Sequence, residues 1–366
     1  DEVYYVGEPV ALVLAENRYI AEDAMDLIEI EYIDKKPIID LKEAVKSKTK
    51  IVHNKLNSNV VSDRHFVYGN PKKFFSNDYK QVELEINYPR NSCTPLEGFV
   101  VHSNYDYHDK TFTITSNFQG PYSLHSVLSR SLKTDEGKLR LISFNNSGGS
   151  FGIKQAVMPM IVLTGLASKI TNRYVVWIED RIEHLTSASS ATGRLTKIKA
   201  SVSSNGLVNA IDYDQIDDVG AFLRAPEPAS LYRMHGNLSG PYKVKHISCR
   251  NRVVVTNKTP TGLNRGFGGP QHYFALERLM KKISDELNIN HLDVIKINIL
   301  NNNQFPYKSA SGAILDSGDY KKLISKVLKS QTYKKMINKK KEAQKKGKLY
   351  GIGFSAIIEP SISNMG

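Results

Sequence analysis

The segment that most restricts how this chain can fold is Arg265-Gly266-Phe267-Gly268-Gly269-Pro270-Gln271, set directly before a helical pattern. Three glycines in seven residues cost backbone entropy, so the loop must pass close to something or reach positive φ. An arginine beside a helix start suits an anionic ligand, and Phe267 offers a flat face. A second loop over 145–154 contains Gly148, Gly149, Ser150, Phe151 and Gly152 and has the same character. Neither carries the GxxxxGK[ST] spacing, nor a GxGxxG between strand and helix. Residue types alone leave two readings, a ligand cradle or a tight connection around a buried ring.

With 366 residues, 40% of them hydrophobic, the chain can bury a real core and form two or more domains. The most apolar run, 156–167, contains Pro159 and is shorter than the roughly 18 to 20 residues a membrane span needs, so no span is expected. No basic-then-apolar leader is visible behind Asp1, and a cytoplasmic location is expected. Cys93 and Cys249 lack CxxC spacing, which assigns any iron–sulfur or zinc centre to another chain. The net charge of +13 is concentrated in one place: 321–348 holds twelve lysines against the single acid Glu342. Without an arginine and aromatic platform, that run reads as a solvated or partner-facing helix, and no nucleic-acid site is expected.

Along the chain, 8–16 and 28–33 read as strands around a helix at 18–27, a small α+β unit. The polar stretch 51–80 reads as a linker. Strand patterns then recur at 82–88, 98–105, 111–116, 138–144, 173–178, 197–203 and 207–216, the last two joined by a hairpin signal at Ser204-Asn205-Gly206. Helices are expected at 122–132, 155–169, 271–287 and 292–301, and across 320–346. His102, His125 and His184 read as hydrogen-bonded or surface residues rather than ligands, and Glu179, Asp180 and Glu183 beside Arg181 read as an ion-pair network. There is no GxSxG, no HExxH and no metal-spaced histidine set, so spacing names no reaction.

The ordered combination does resemble a family. Residues 1–32, with Gly7-Glu8-Pro9-Val10 and Ala21-Glu22-Asp23-Ala24, resemble the end of the hammerhead domain of the molybdenum hydroxylases, the xanthine dehydrogenase and aldehyde oxidase family. Pro95-Leu96-Glu97, Gln119-Gly120-Pro121, Gly148 through Lys154, Trp177 through Arg181, Thr256-Asn257-Lys258, Arg265 through Gln271 and Asp316 through Tyr320 resemble further motifs of that family, in order. The resemblance implies a mixed α+β fold: a partial hammerhead domain at 1–50, a linker at 51–80, a first molybdopterin-binding domain at 81–348 and the start of a second at 349–366.

It also implies a molybdenum–molybdopterin cofactor, in the cytosine dinucleotide form, held by its pterin, with no metal ligand in this chain. Gln119 would donate to the molybdenum oxo group, and Gly148, Gly149, Ser150, Phe151 and Gly152 would pack beside the metal. Arg265 and Gly266 would contact the pterin, while Gln155 and Phe267 would face the substrate. For Gln119 the other reading is a helix cap, and for Phe267 ordinary core packing. The reaction implied is oxidation of an aldehyde or aromatic nitrogen heterocycle with water as oxygen source. Electrons would leave to an iron–sulfur subunit carrying 2Fe-2S and a subunit carrying FAD.

Three departures narrow this. The family's carbon monoxide oxidising members carry a cysteine in the loop that here reads Leu263-Asn264-Arg265-Gly266-Phe267, and its purine-oxidising members a glutamate at the position of Gln155. The catalytic glutamate sits in a GxGE motif, which does not occur here, and Glu359 does not match it. No catalytic residue is therefore expected in this chain, which reads as a fragment or one half of a split subunit whose partner carries GxGE, inactive alone. A non-catalytic assembly half and a basic nucleic-acid binder are the competing readings.

Overall fold

The computed structural model describes residues 2–76, 78–225, 227–228 and 232–360. Two sheets dominate. The larger has the order β1-β9-β8-β7-β2, from Val60–Tyr68 (β1), His246–Val254 (β9), Val208–Asp218 (β8), Gly193–Val202 (β7) and Lys80–Tyr88 (β2). All its pairs are antiparallel except β8 with β9. The smaller has the order β5-β4-β3-β6, from Leu139–Ser143 (β5), Thr111–Ser116 (β4), Val100–Asp106 (β3) and Val175–Ile178 (β6), with only β4 and β5 parallel. A two-stranded ribbon joins Tyr307–Lys308 (β10) to Ile314–Leu315 (β11).

Helices α1 (Arg18–Asp26) and α2 (Leu41–Ala44) precede the sheets, and α3 (Pro121–Ser131) and α4 (Met158–Thr171) pack on the smaller one. Leu124 and Leu128 of α3 and Ile161 of α4 close a core with Val101, Phe112 and Ile114. The stretch Ile153–Thr171 is apolar and long enough to cross a membrane, yet half of it is buried and it packs against β3 as a core helix. Helix α5 (Arg181–Ser187) follows β6. Helix α6 (Gly269–Leu287) covers the larger sheet: Ala275, Leu276, Leu279, Met280 and Ile283 recur three to four residues apart and are buried against Ile198, Ile211 and Ile247. It begins after left-handed Gly268 with Pro270 in its first turn and ends at left-handed Asn288. Helices α7 (His291–Asn298), α8 (Tyr320–Lys329) and α9 (Gln331–Lys345) follow.

The structure corrects four expectations. Residues 51–80 are no linker, because β1 within them pairs along its length with β9; its burial alternates so weakly that no apolar period shows. Residues 8–16 and 28–33 form no strand, since no neighbouring strand supplies their hydrogen bonds. Ile33 accordingly stays 88% exposed. The lysine-rich segment is two helices, because Ser330 turns to an extended conformation and its Oγ accepts from Tyr333 N–H at 3.2 Å. Among the described residues Arg181 forms no ion pair and donates to Leu96 O, while Asp180 pairs with Arg18 at 3.8 Å and caps α5 together with Glu183, and Glu179 accepts from buried His184.

Candidate functional site

The two glycine loops grow from different sheets and meet. The first follows β5, and the second leads into α6. Arg265 N–H donates to Phe151 O at 2.7 Å, and a Cβ on Gly152 would lie 2.9 Å from Leu263 O, so one backbone rests on the other. Each loop also holds a phenylalanine at positive φ, Phe151 at 53° and Phe267 at 29°. Such conformations are costly for a non-glycine residue and persist only where surroundings enforce them.

Side chains brace the first loop. Glu97 accepts from the Lys154 ammonium and from Asn117 Nδ2 (2.5 Å) through Oε1, and from Gly148 N–H (2.8 Å) through Oε2. Lys154 is fully buried and its hydrogen bond holds the Glu97 carboxyl below the usual carboxylate range. At Gly148 a Cβ would strike Glu97 Cβ at 2.7 Å, which is why glycine stands there. Ser150 Oγ donates to Gln119 Oε1 at 2.6 Å and accepts from Gly152 N–H and Lys154 N–H, both at 3.2 Å. Gln119 does not cap α3, whose N-cap Gly120 makes no side-chain bond. Gln119 is exposed, and among the described residues its Nε2 has no partner. Gln155 Nε2 donates to Ser123 Oγ at 3.0 Å, leaving its buried Oε1 without a partner.

The second loop is held from behind. Arg233 Nη1 donates to Gly266 O at 2.7 Å, and its Nη2 pairs with Glu359. Gln271 Nε2 donates to Thr192 O at 2.9 Å, and its buried Oε1 has no partner. Thr192 neighbours Arg194, which forms a buried, two-pronged ion pair with Asp217. Phe267 is buried, 8% exposed, so of the two phenylalanines it is Phe151, 46% exposed, that presents a ring outward. A cavity of about 30 Å³, the size of one water, lies beneath, lined by Thr192, Arg265, Phe267 and Gln271. Arg265 is exposed, with no ion pair among the described residues. Tyr122 and Leu96, 96% and 95% exposed, stand beside Gln119 and Glu97 in sequence.

The structure thus gathers Gln119, Ser150, Phe151, Gln155, Arg265 and Gly266 around one junction. Arg233 and Asn117 were missed by sequence reasoning; both act through contacts distant in sequence, and no local pattern marks them. Among the described residues no group of three histidine, cysteine or acidic side chains could hold a metal ion. What converges is free amide and guanidinium donors, orphaned buried acceptors and backbone open at glycine, a chemistry suited to a flat, anionic, hydrogen-bonding group rather than to a bare metal.

These features lie on a mixed α+β scaffold. The model of the molybdopterin cofactor-binding domain matches residues 52–299, and the chain belongs to that family, the molybdopterin-binding part of the molybdenum hydroxylase oxidoreductases. It is 28% identical over its whole length to 45% of the nicotine 6-hydroxylase large subunit of Paenarthrobacter nicotinovorans. Over 87% of the chain it is 26% identical to 72% of the nicotinate dehydrogenase large molybdopterin subunit of Eubacterium barkeri. The solved structure of quinoline 2-oxidoreductase from Pseudomonas putida 86 matches 94% of the chain with a TM-score of 0.86 and 26% identity, using 44% of that chain. The chain spans about half the length of most of the curated relatives it matches.

Proposed function

We propose that this chain is the first molybdopterin-binding part of a molybdenum hydroxylase that oxidises an aromatic nitrogen heterocycle or an aldehyde. The observation that carries the reading is the meeting of the two loops at the Arg265 N–H to Phe151 O bond, with the donors Gln119 Nε2 and Arg265 left open beside it. Relatives whose names carry nicotine, nicotinate and quinoline favour the heterocycle. When bound, the cofactor supplies the redox chemistry and the activation of water.

The chain's own residues bind and orient. Arg265 sets a permanent positive charge where an anionic part of the cofactor would rest, and Gly266 lets the backbone come close. Gly149 and Gly152, at φ of 96° and 108°, turn backbone of the first loop toward the same space. Gln119 Nε2 donates toward the cofactor, Gln155 stands on the substrate side behind Ser123, and Phe151 supplies an exposed ring face. Buried Phe267 acts from behind, by shaping the loop that carries Arg265.

In this reading 1–50 belongs to a hammerhead domain, 81–348 together with β1 to the first molybdopterin domain, and 349–366 to the start of a second. The general base comes from a second molybdopterin subunit or segment carrying GxGE, because no such motif occurs in these 366 residues. The cytoplasmic partners are an iron–sulfur subunit and an FAD subunit, and the pterin carries cytosine dinucleotide. Elemental and pterin analysis of the native complex is expected to find molybdenum and a pterin dinucleotide in step with this chain. A catalytically active complex free of molybdenum would overturn the proposal.

A further inference from the structure

An amide side chain can face a ligand with its oxygen or its NH₂, and at Gln119 that choice is forced by a neighbour. Ser150 has one hydroxyl hydrogen and two acceptor sites. Gly152 N–H and Lys154 N–H both donate to its Oγ, at 3.2 Å each. With both acceptor sites taken, the hydroxyl can only donate, and its partner at 2.6 Å must be an acceptor. Gln119 therefore turns Oε1 toward Ser150 and its NH₂ away, toward the open junction of the two loops.

The two backbone donors are not incidental. They lie on the turn after left-handed Phe151 and Gly152 (φ 53° and 108°), where Gln155 N–H donates to Gly152 O. The backbone of Gln119 is tied to the same turn, its N–H reaching Lys154 O at 3.4 Å. Main chain and side chain of Gln119 thus both take their position from Ser150 through Lys154, and the Glu97 to Lys154 contact fixes that turn from below.

We infer that Ser150 is a positioning residue which holds the Gln119 amide with its NH₂ toward the cofactor side, through a hydroxyl whose own hydrogen is directed by Gly152 and Lys154. This rests on the reading of Gln119 given above. It separates Ser150 from the residues that touch the cofactor: its effect passes through Gln119.

The test uses the intact molybdenum-loaded complex and compares wild type, Ser150→Ala, Ser150→Thr, Gln119→Ala and the double variant Ser150→Ala/Gln119→Ala. Rates of reduction by substrate are normalised to molybdenum content, and crystal structures report the Gln119 side chain. Ser150→Ala is expected to lower the limiting rate roughly 10-fold, with Gln119 spread over several conformers. Ser150→Thr, which keeps the hydroxyl, recovers both the rate and a single conformer. The double variant runs no slower per molybdenum than Gln119→Ala, because the serine has nothing left to orient. Losses that multiply in the double variant, or a Gln119 unmoved by Ser150→Ala, overturn the inference while the role of Gln119 stands. A Gln119→Ala complex as fast as wild type removes the reading of Gln119, and this inference with it.

Discussion

The two glycine loops look alike in sequence and are held at different groups. The loop ending at Lys154 is braced by side chains: Glu97, Asn117, Lys154 and Ser150 form a connected polar set, closed around one buried ammonium. The loop ending at Gln271 is held at its carbonyl groups, where the Arg233 guanidinium donates to Gly266 O while also pairing with Glu359.

The sharpest way to break the comparison is Lys154→Met. Removing one partner of a buried pair typically costs 3–5 kcal/mol, but Glu97 keeps a side chain 35% exposed and can rehydrate. We expect a loss of about 2–3 kcal/mol in denaturant unfolding; a change below about 0.5 kcal/mol would mean that the first loop does not depend on its brace. Arg233→Ala should cost less, about 1–2 kcal/mol, since the Glu359 carboxylate it frees is 55% exposed. Amide hydrogen exchange should quicken at 266–269 and 358–360 and stay unchanged at 148–154; equal quickening in both loops would show that they share one support.

The remaining effect is one of pH. Burial raises the Glu277 carboxyl of α6 to about 7, where it accepts from Ala356 N–H at 2.8 Å and Tyr242 Oη–H at 2.7 Å. Between 4.5 and about 7 the folded chain keeps a proton that the unfolded chain has released. Its contribution to stability is whole below the lower value and lost as pH rises through the upper one. Melting curves from pH 5 to 8 should show a decline that Glu277→Gln flattens; an unaltered slope would assign the decline to another group.

Legibility in the sequence followed the range of the causes. Helix α6 could be read because its glycine start, Pro270 and apolar spacing are all local, and the strands of the smaller sheet alternate enough to show. Strand β1 could not, since its place depends on β9 nearly two hundred residues on. Expecting strands at 8–16 and 28–33 rested on apolar content, which without a hydrogen-bonding neighbour does not make a sheet. At the site, glycines and the motif order marked which loops matter. The sense of the Gln119 amide and the reach of Arg233 are matters of three-dimensional contact that no spacing encodes. Phe267 shows the same limit, since its sequence setting suited an open face and its backbone turns the ring inward.

The seam between the sheets has a consequence for assembly. Gln119 belongs to one layer and Arg265 to the other, so neither layer alone can assemble the proposed cradle, and the contacts joining the loops span more than a hundred residues of chain. Loops closed over such distances are slow to form and late to arrive. A chain whose layers have folded but not yet docked would carry both halves of the site and bind with neither, making cofactor retention a gauge of completed tertiary structure.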